Sequence, residues 1–184
     1  MNLVEQAAAP VLGIIDDIRS DQLDAPTPCA EFDVRRLIRH LLFWGPALEA
    51  AARKEPPFTP AGAEADVDLD GWQPRLAEQL ERTATAWSAP AAWTGVTSVG
   101  SPQELPAEVV GGMTVTEVLV HGWDLATAVG LRPVWDGDLL AFVHRDLLGS
   151  AGMGRELGLY GPEVPVPDDA PMLDRVLGLT GRKA

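Results

Sequence analysis

Glu117, His121 and Asp124 stand in the run Met113-Thr-Val-Thr-Glu117-Val-Leu-Val-His121-Gly-Trp-Asp124-Leu-Ala-Thr-Ala-Val129, and their types and spacing suit metal chemistry. At about 100° per residue, a helix brings the three within an arc of roughly 60°. Glu-x-x-x-His then sets a carboxylate and an imidazole one turn apart, pointing the same way. By that geometry one helix offers two ligands to one ion. A third ligand must come from another element, and the chain has only 3 histidines. His40 sits on the shoulder of an apolar stripe, with Arg36 and Trp44 one turn to either side. His144, beside Arg145 and Asp146, reads as more exposed.

Spacing alone leaves a second reading open. The apolar positions Val115, Val118, Leu119, Ala126 and Val129 are centred nearly opposite Glu117 and His121. The polar stripe therefore also fits a solvated helix face carrying an exposed pair one turn apart. Against this, Val120, Trp123 and Leu125 flank the stripe. A helix apolar around most of its circumference is buried on most of it, and buried charge has to be paired or bound to metal. Cys29, the sole thiol, precedes a helix N-terminus, a position that can lower a thiol pKa. Most lone cysteines are small buried hydrophobes. The chain has no Gly-x-Gly-x-x-Gly after a strand, no Walker loop and no Gly-x-Ser-x-Gly elbow, which sets aside phosphate cradles and serine hydrolases.

The elements that must position these residues read as helices. Apolar spacing predicts helices over about residues 2–19, with Pro10 as a kink or late start, and 34–53, with Asp33 as N-cap. Residues 54–71, rich in Pro, Ala and acid, form a long connection. Further helices are expected over about 72–88, 113–129 and 136–148, with a short terminal one over about 171–179. Short strands are expected at Trp93-Thr94-Gly95-Val96 or Glu108-Val109-Val110. Helices of this length joined by long crossovers point to a bundle.

The 184 residues suit one domain, 1–184. A 46% hydrophobic content can supply a core, which excludes wholesale disorder. The net charge of −13 repels phosphate backbones and anionic lipid, so nucleic acid and membrane surfaces are not expected partners. No apolar run approaches the ~20 residues that span a bilayer. Residues 1–6 carry Glu5 and no Lys or Arg, unlike a signal peptide. With 1 cysteine, a reducing cytoplasmic setting is expected.

At the candidate ligands the sequence resembles a known family. Thr27-Pro28-Cys29-x-x-Phe32-Asp33-Val34-x-x-Leu37-x-x-His40-Leu41 is similar to the N-terminal signature of the DinB-like superfamily, in the actinobacterial branch related to the metal-binding domain of mycothiol-dependent maleylpyruvate isomerase. Glu117-x-x-x-His121-Gly122-Trp123-Asp124-Leu125-Ala126 resembles that branch's second signature. The ending also fits, from Tyr160-Gly161-Pro162 through Val166-Pro167-Asp168-Asp169-Ala170 to Asp174-Arg175 and Gly181-Arg182. Two positions depart from the pattern: Phe32 stands where tryptophan is common, and Arg36 where an acidic residue is frequent.

The resemblance implies an all-α fold, a DinB-like four-helix bundle with long crossover connections and short extra C-terminal helices. It implies one divalent metal, zinc or nickel, held by His40, Glu117 and His121, with Asp124 orienting a ligand through a hydrogen bond. The implied function is a metal-dependent, thiol-dependent S-transferase or isomerase. A low-molecular-weight thiol such as mycothiol and a small electrophile would be its partners, with Trp44 and Trp123 walling the cavity and a homodimer left open. The alternative is a metal- or ligand-binding helical module without catalysis. The isomerase also carries a C-terminal domain that helps bind its thiol, whereas only about 50 residues follow the metal-site helix here.

Overall fold

Asn2 starts the first helix by accepting a hydrogen bond from the Val4 amide at 3.1 Å, meeting one of the donors that a helix N-terminus leaves unpaired. In the computed structural model this helix, α1, runs Leu3–Asp17. It continues through Pro10, where the sequence suggested a kink or late start. Its face of Val4, Ala7, Ala8, Val11, Ile14 and Ile15 is buried. The structure describes residues 2–58 and 60–184. Met1, in the leader reading, and Thr59, in the 54–71 connection, lie outside the described residues.

The described residues form five further α-helices: α2 Val34–Arg53, α3 Trp72–Ala86, α4 Ala107–Ala128, α5 Gly137–Glu156 and α6 Met172–Leu179. A two-stranded antiparallel ribbon joins β1, Val96–Thr97, to β2, Leu105–Pro106. As expected, Asp33 caps α2, accepting from the Arg36 amide at 2.7 Å. At the other end of α2, Lys54 takes the left-handed backbone that closes many helices, with φ 55°.

Packing divides the chain into two compact units, one up to Pro133 and one Val134–Ala184. In the first, α1 packs on α4 and α3, and α2 packs on α3 and α4. These four pairs close a ring, so the α1–α2 and α3–α4 connections each cross to a helix that is not a neighbour. This is the four-helix bundle with long crossovers. Ile15, Leu37, Ile38, Leu76, Leu119 and Leu125 fill its core and are fully buried. Trp87 is buried there too, its indole N–H donating to the Leu48 carbonyl at 3.1 Å. In the second unit α5 packs on α6, and Arg155 donates to the Leu179 carbonyl at 3.0 Å.

Three boundaries differ from the sequence reading. Trp93 ends a 3-10 turn, Pro90–Trp93, and the strand after it is Val96–Thr97 rather than residues 93–96. Glu108, Val109 and Val110 are not a strand: α4 begins at Ala107, well before Met113. Gly111 and Gly112 look like a break, yet they lie inside the helix. A Cβ on Gly111 would come within 2.4 Å of the Trp93 ring, so the missing side chain lets that ring seat on α4. Likewise α5 runs on to Glu156 rather than ending near Leu148. A Cβ on Gly154, inside it, would lie 2.5 Å from the Tyr160 ring.

Candidate metal centre

α4 lies against both α1 and α2, and its circumference is buried accordingly. His121 is 8% exposed and Asp124 is 0% exposed, which excludes the solvated-face reading of the polar stripe. At Gly122, next to His121, α1 packs tightly against α4. A Cβ there would fall 2.3 Å from Val11 Cγ2. The side of α4 bearing Glu117, His121 and Asp124 meets His40 of α2.

The three residues expected as ligands come together. One ligand atom from each of His40, Glu117 and His121 lies within 4.8 Å of the others. Glu117 Oε1 is 2.9 Å from His40 Nε2 and 3.6 Å from His121 Nε2. Ligands held at the usual ~2.0–2.2 Å from a tetrahedral zinc sit roughly 3.4 Å apart, so the donor set fits a divalent ion. Three protein donors leave one position open, as in catalytic rather than structural sites.

Each imidazole is also held from behind. His121 Nδ1 lies 3.0 Å from Asp124 Oδ2, and His40 Nδ1 lies 3.3 Å from Glu64 Oε2. In metal centres the far ring nitrogen of a ligating histidine almost always donates to such a carboxylate or carbonyl. This fixes the tautomer and aims the lone pair. Burial pushes the His40 pKa down, but its hydrogen bond to Glu117 and the charges of Glu117 and Glu64 outweigh that, and the pKa is raised.

An aromatic ring closes one side. Phe32 packs 4.9 Å from the His40 ring and 6.0 Å from the His121 ring, centroid to centroid. The loop before α2 holds it there. The Thr27 hydroxyl donates to the Phe32 carbonyl at 2.6 Å and accepts from the Cys29 amide at 3.1 Å. The exposed Arg36 guanidinium lies over that ring, 5.7 Å from its centroid. The Thr-Pro-Cys-x-x-Phe run thus builds a wall, and Cys29 is not one of the clustered donors.

Other candidates fall elsewhere. His144 lies on α5 in the second unit, with its pKa lowered first by burial and then by Arg175. Trp44 does reach the site, through its indole N–H to Glu64 Oε1 at 2.7 Å. Trp123 stands about 200° around α4 from His121 and faces away from it. Glu64 is the residue that sequence reasoning missed. It lies in an acidic connection with Glu55, Asp66, Asp68 and Asp70, and nothing in its spacing singles it out.

Comparison with known proteins bears on the family and the fold. The sequence pattern described as the mycothiol maleylpyruvate isomerase N-terminal domain matches residues 4–126. Over 187 residues the chain is 29% identical to the uncharacterized protein Rv0738 of Mycobacterium tuberculosis strain H37Rv, covering 97% of this chain and 94% of that protein. It matches the uncharacterized protein MT0763 of strain CDC 1551 at the same 29%. A crystal structure of the mycothiol-dependent maleylpyruvate isomerase superposes with a TM-score of 0.62 at 16% identity, covering 88% of this chain and 72% of that one. A mutant of that isomerase gives 0.60 at 17%, covering 81% and 66%. This chain thus spans about two thirds of the isomerase's length. The likeness shows the fold, a DinB-like helical bundle.

Proposed function

The chain belongs to the mycothiol maleylpyruvate isomerase N-terminal domain family, and from that premise we propose that it is a divalent-metal-dependent enzyme using a low-molecular-weight thiol of the mycothiol type, in S-transfer or isomerisation. One observation carries the reading: two Nε2 atoms and a carboxylate oxygen converge, and each imidazole is backed by its own carboxylate. A surface ion pair has no need of that second layer.

His40, Glu117 and His121 would hold the ion, zinc or nickel, with Asp124 orienting His121. When bound, a divalent ion supplies Lewis acidity, lowering the pKa of a thiol or water at its open position. The chain's own residues do the rest. Phe32 covers both imidazoles on one side and keeps water from that approach. Arg36, exposed beside it, gives the rim a positive charge in a chain of net charge −13, which suits an anionic thiol or electrophile. None of the described helices is long and apolar enough to cross a membrane. We infer a reducing, cytoplasmic setting from the single cysteine, with small-molecule partners and no nucleic acid.

The test is turnover by the metal-loaded protein over a panel of activated alkenes and alkyl halides, with and without thiol. Thiol-dependent turnover that is lost in His121→Ala supports the proposal. An intact metal centre with no thiol-dependent turnover, and no change in a cobalt spectrum on adding thiol, makes the protein a metal-binding module instead.

A further inference from the structure

We propose that Glu64, from the connection between α2 and α3, is a positioning residue. Its carboxylate holds His40 in the Nδ1–H form and so aims the Nε2 lone pair at the metal position. The inference rests on the metal-site reading above and extends it to a residue outside the helices.

Glu64 serves two donors with two oxygens. Oε1 accepts from the Trp44 indole N–H at 2.7 Å, and Oε2 lies 3.3 Å from His40 Nδ1. Trp44 and His40 are one turn apart on α2, so one carboxylate bridges neighbouring side chains on one helix face. The turn that carries it is fixed independently. Residues Glu64–Asp66 form a single 3-10 turn, with the Val67 amide bonded to the Glu64 carbonyl at 3.2 Å. Arg39 Nε of α2 donates to the Val67 carbonyl at 3.0 Å. His40 therefore does not have to hold Glu64 in place by itself.

The chemistry demands a carboxylate. Indole N–H is a donor only, and an imidazole that presents Nε2 to a metal must carry its proton on Nδ1. Both groups ask Glu64 for an acceptor. Placed as the carboxylate is, with one end at each donor, an amide offers one acceptor end and one donor end, so it satisfies Trp44 or His40 but not both. If its NH₂ faces His40, it favours the tautomer with the proton on Nε2, which cannot bind the ion. Removing Trp44's N–H frees the amide to turn its oxygen to His40. The interaction thus predicts a rescue.

The experiment measures zinc affinity by chelator competition in wild type, Glu64→Gln, Trp44→Phe and the double variant. The His40 tautomer is read by long-range ¹H–¹⁵N NMR of the zinc-loaded protein. Glu64→Gln is expected to weaken zinc binding by about tenfold, within the range for lost carboxylate partners of ligating histidines. In the Trp44→Phe background the same change should cost less than about twofold, with His40 Nδ1-protonated. Zinc bound equally tightly by wild type and Glu64→Gln overturns the proposal, as does an equal loss in both backgrounds. In either case, zinc that is still lost in His121→Ala leaves the metal-site reading standing. Wild type that binds neither zinc nor nickel overturns both.

Discussion

Asp124 Oδ2 lies 3.0 Å from His121 Nδ1, and the carboxylate is completely buried three residues along the same helix. A buried carboxylate costs free energy unless it is paired or hydrogen-bonded. The i,i+3 spacing supplies that partner and turns His121 Nε2 toward Glu117. Asp124→Ala should therefore weaken metal binding about 10- to 100-fold while helical circular dichroism is kept. Unchanged zinc affinity in a folded Asp124→Ala protein would contradict this role.

Metal binding should weaken with acid in a characteristic range. The folded apoprotein holds the His40 proton more tightly than an ordinary histidine, because Glu117 and Glu64 outweigh the cost of burial. Its raised pKa means that the His40 pairings stabilise the apoprotein fully below about pH 6.5, the ordinary histidine value. That stabilisation fades as pH rises through the raised value. A metal needs the neutral ring, so zinc affinity should begin to fall above pH 6.5 on acidification, by up to tenfold per pH unit for this one proton. Competition titrations between pH 8 and 6 check the slope, and a flat profile would refute it.

Phe32 is a wall rather than a ligand. Phe32→Ala should keep a stoichiometric metal and lose about 1–2 kcal/mol of stability, less than a fully buried phenylalanine because Phe32 is half-buried. Denaturant melts of the apo and loaded forms measure both. Loss of the metal itself would show that the ring does more than cover the histidines.

Gly122 sets how closely α1 and α4 approach beside the site. Gly122→Ala places a methyl 2.3 Å from Val11 Cγ2 and should cost about 1–3 kcal/mol, the range for overpacking a core. Combined with Val11→Ala, which removes the clashing atom, the pair should be less destabilised than the sum of the singles. Strict additivity in equilibrium melts would mean that the two helices do not meet there.

Which parts of this arrangement could be read in advance follows from where their partners lie. Glu117, His121 and Asp124 were legible because one helix supplies them all, so the period alone brings them together. Whether that face was wet or buried was not legible from spacing, since it depends on α2 lying across it. His40 needed the family resemblance, because 77 residues separate it from Glu117. Glu64 had no local signature: its role comes from a 3-10 turn folding back on α2, which no periodicity encodes. The start of α4 was misplaced because Gly111 looks like a breaker until Trp93 is seen to occupy the space of its side chain.

The central claim is tested most directly by elemental analysis of the untagged protein beside its His121→Ala variant. The account predicts near-stoichiometric zinc or nickel in the wild type and its loss in the variant. No metal in either protein after reconstitution would contradict it, and Glu117 and His121 would then be no more than a half-buried ion pair one helical turn apart.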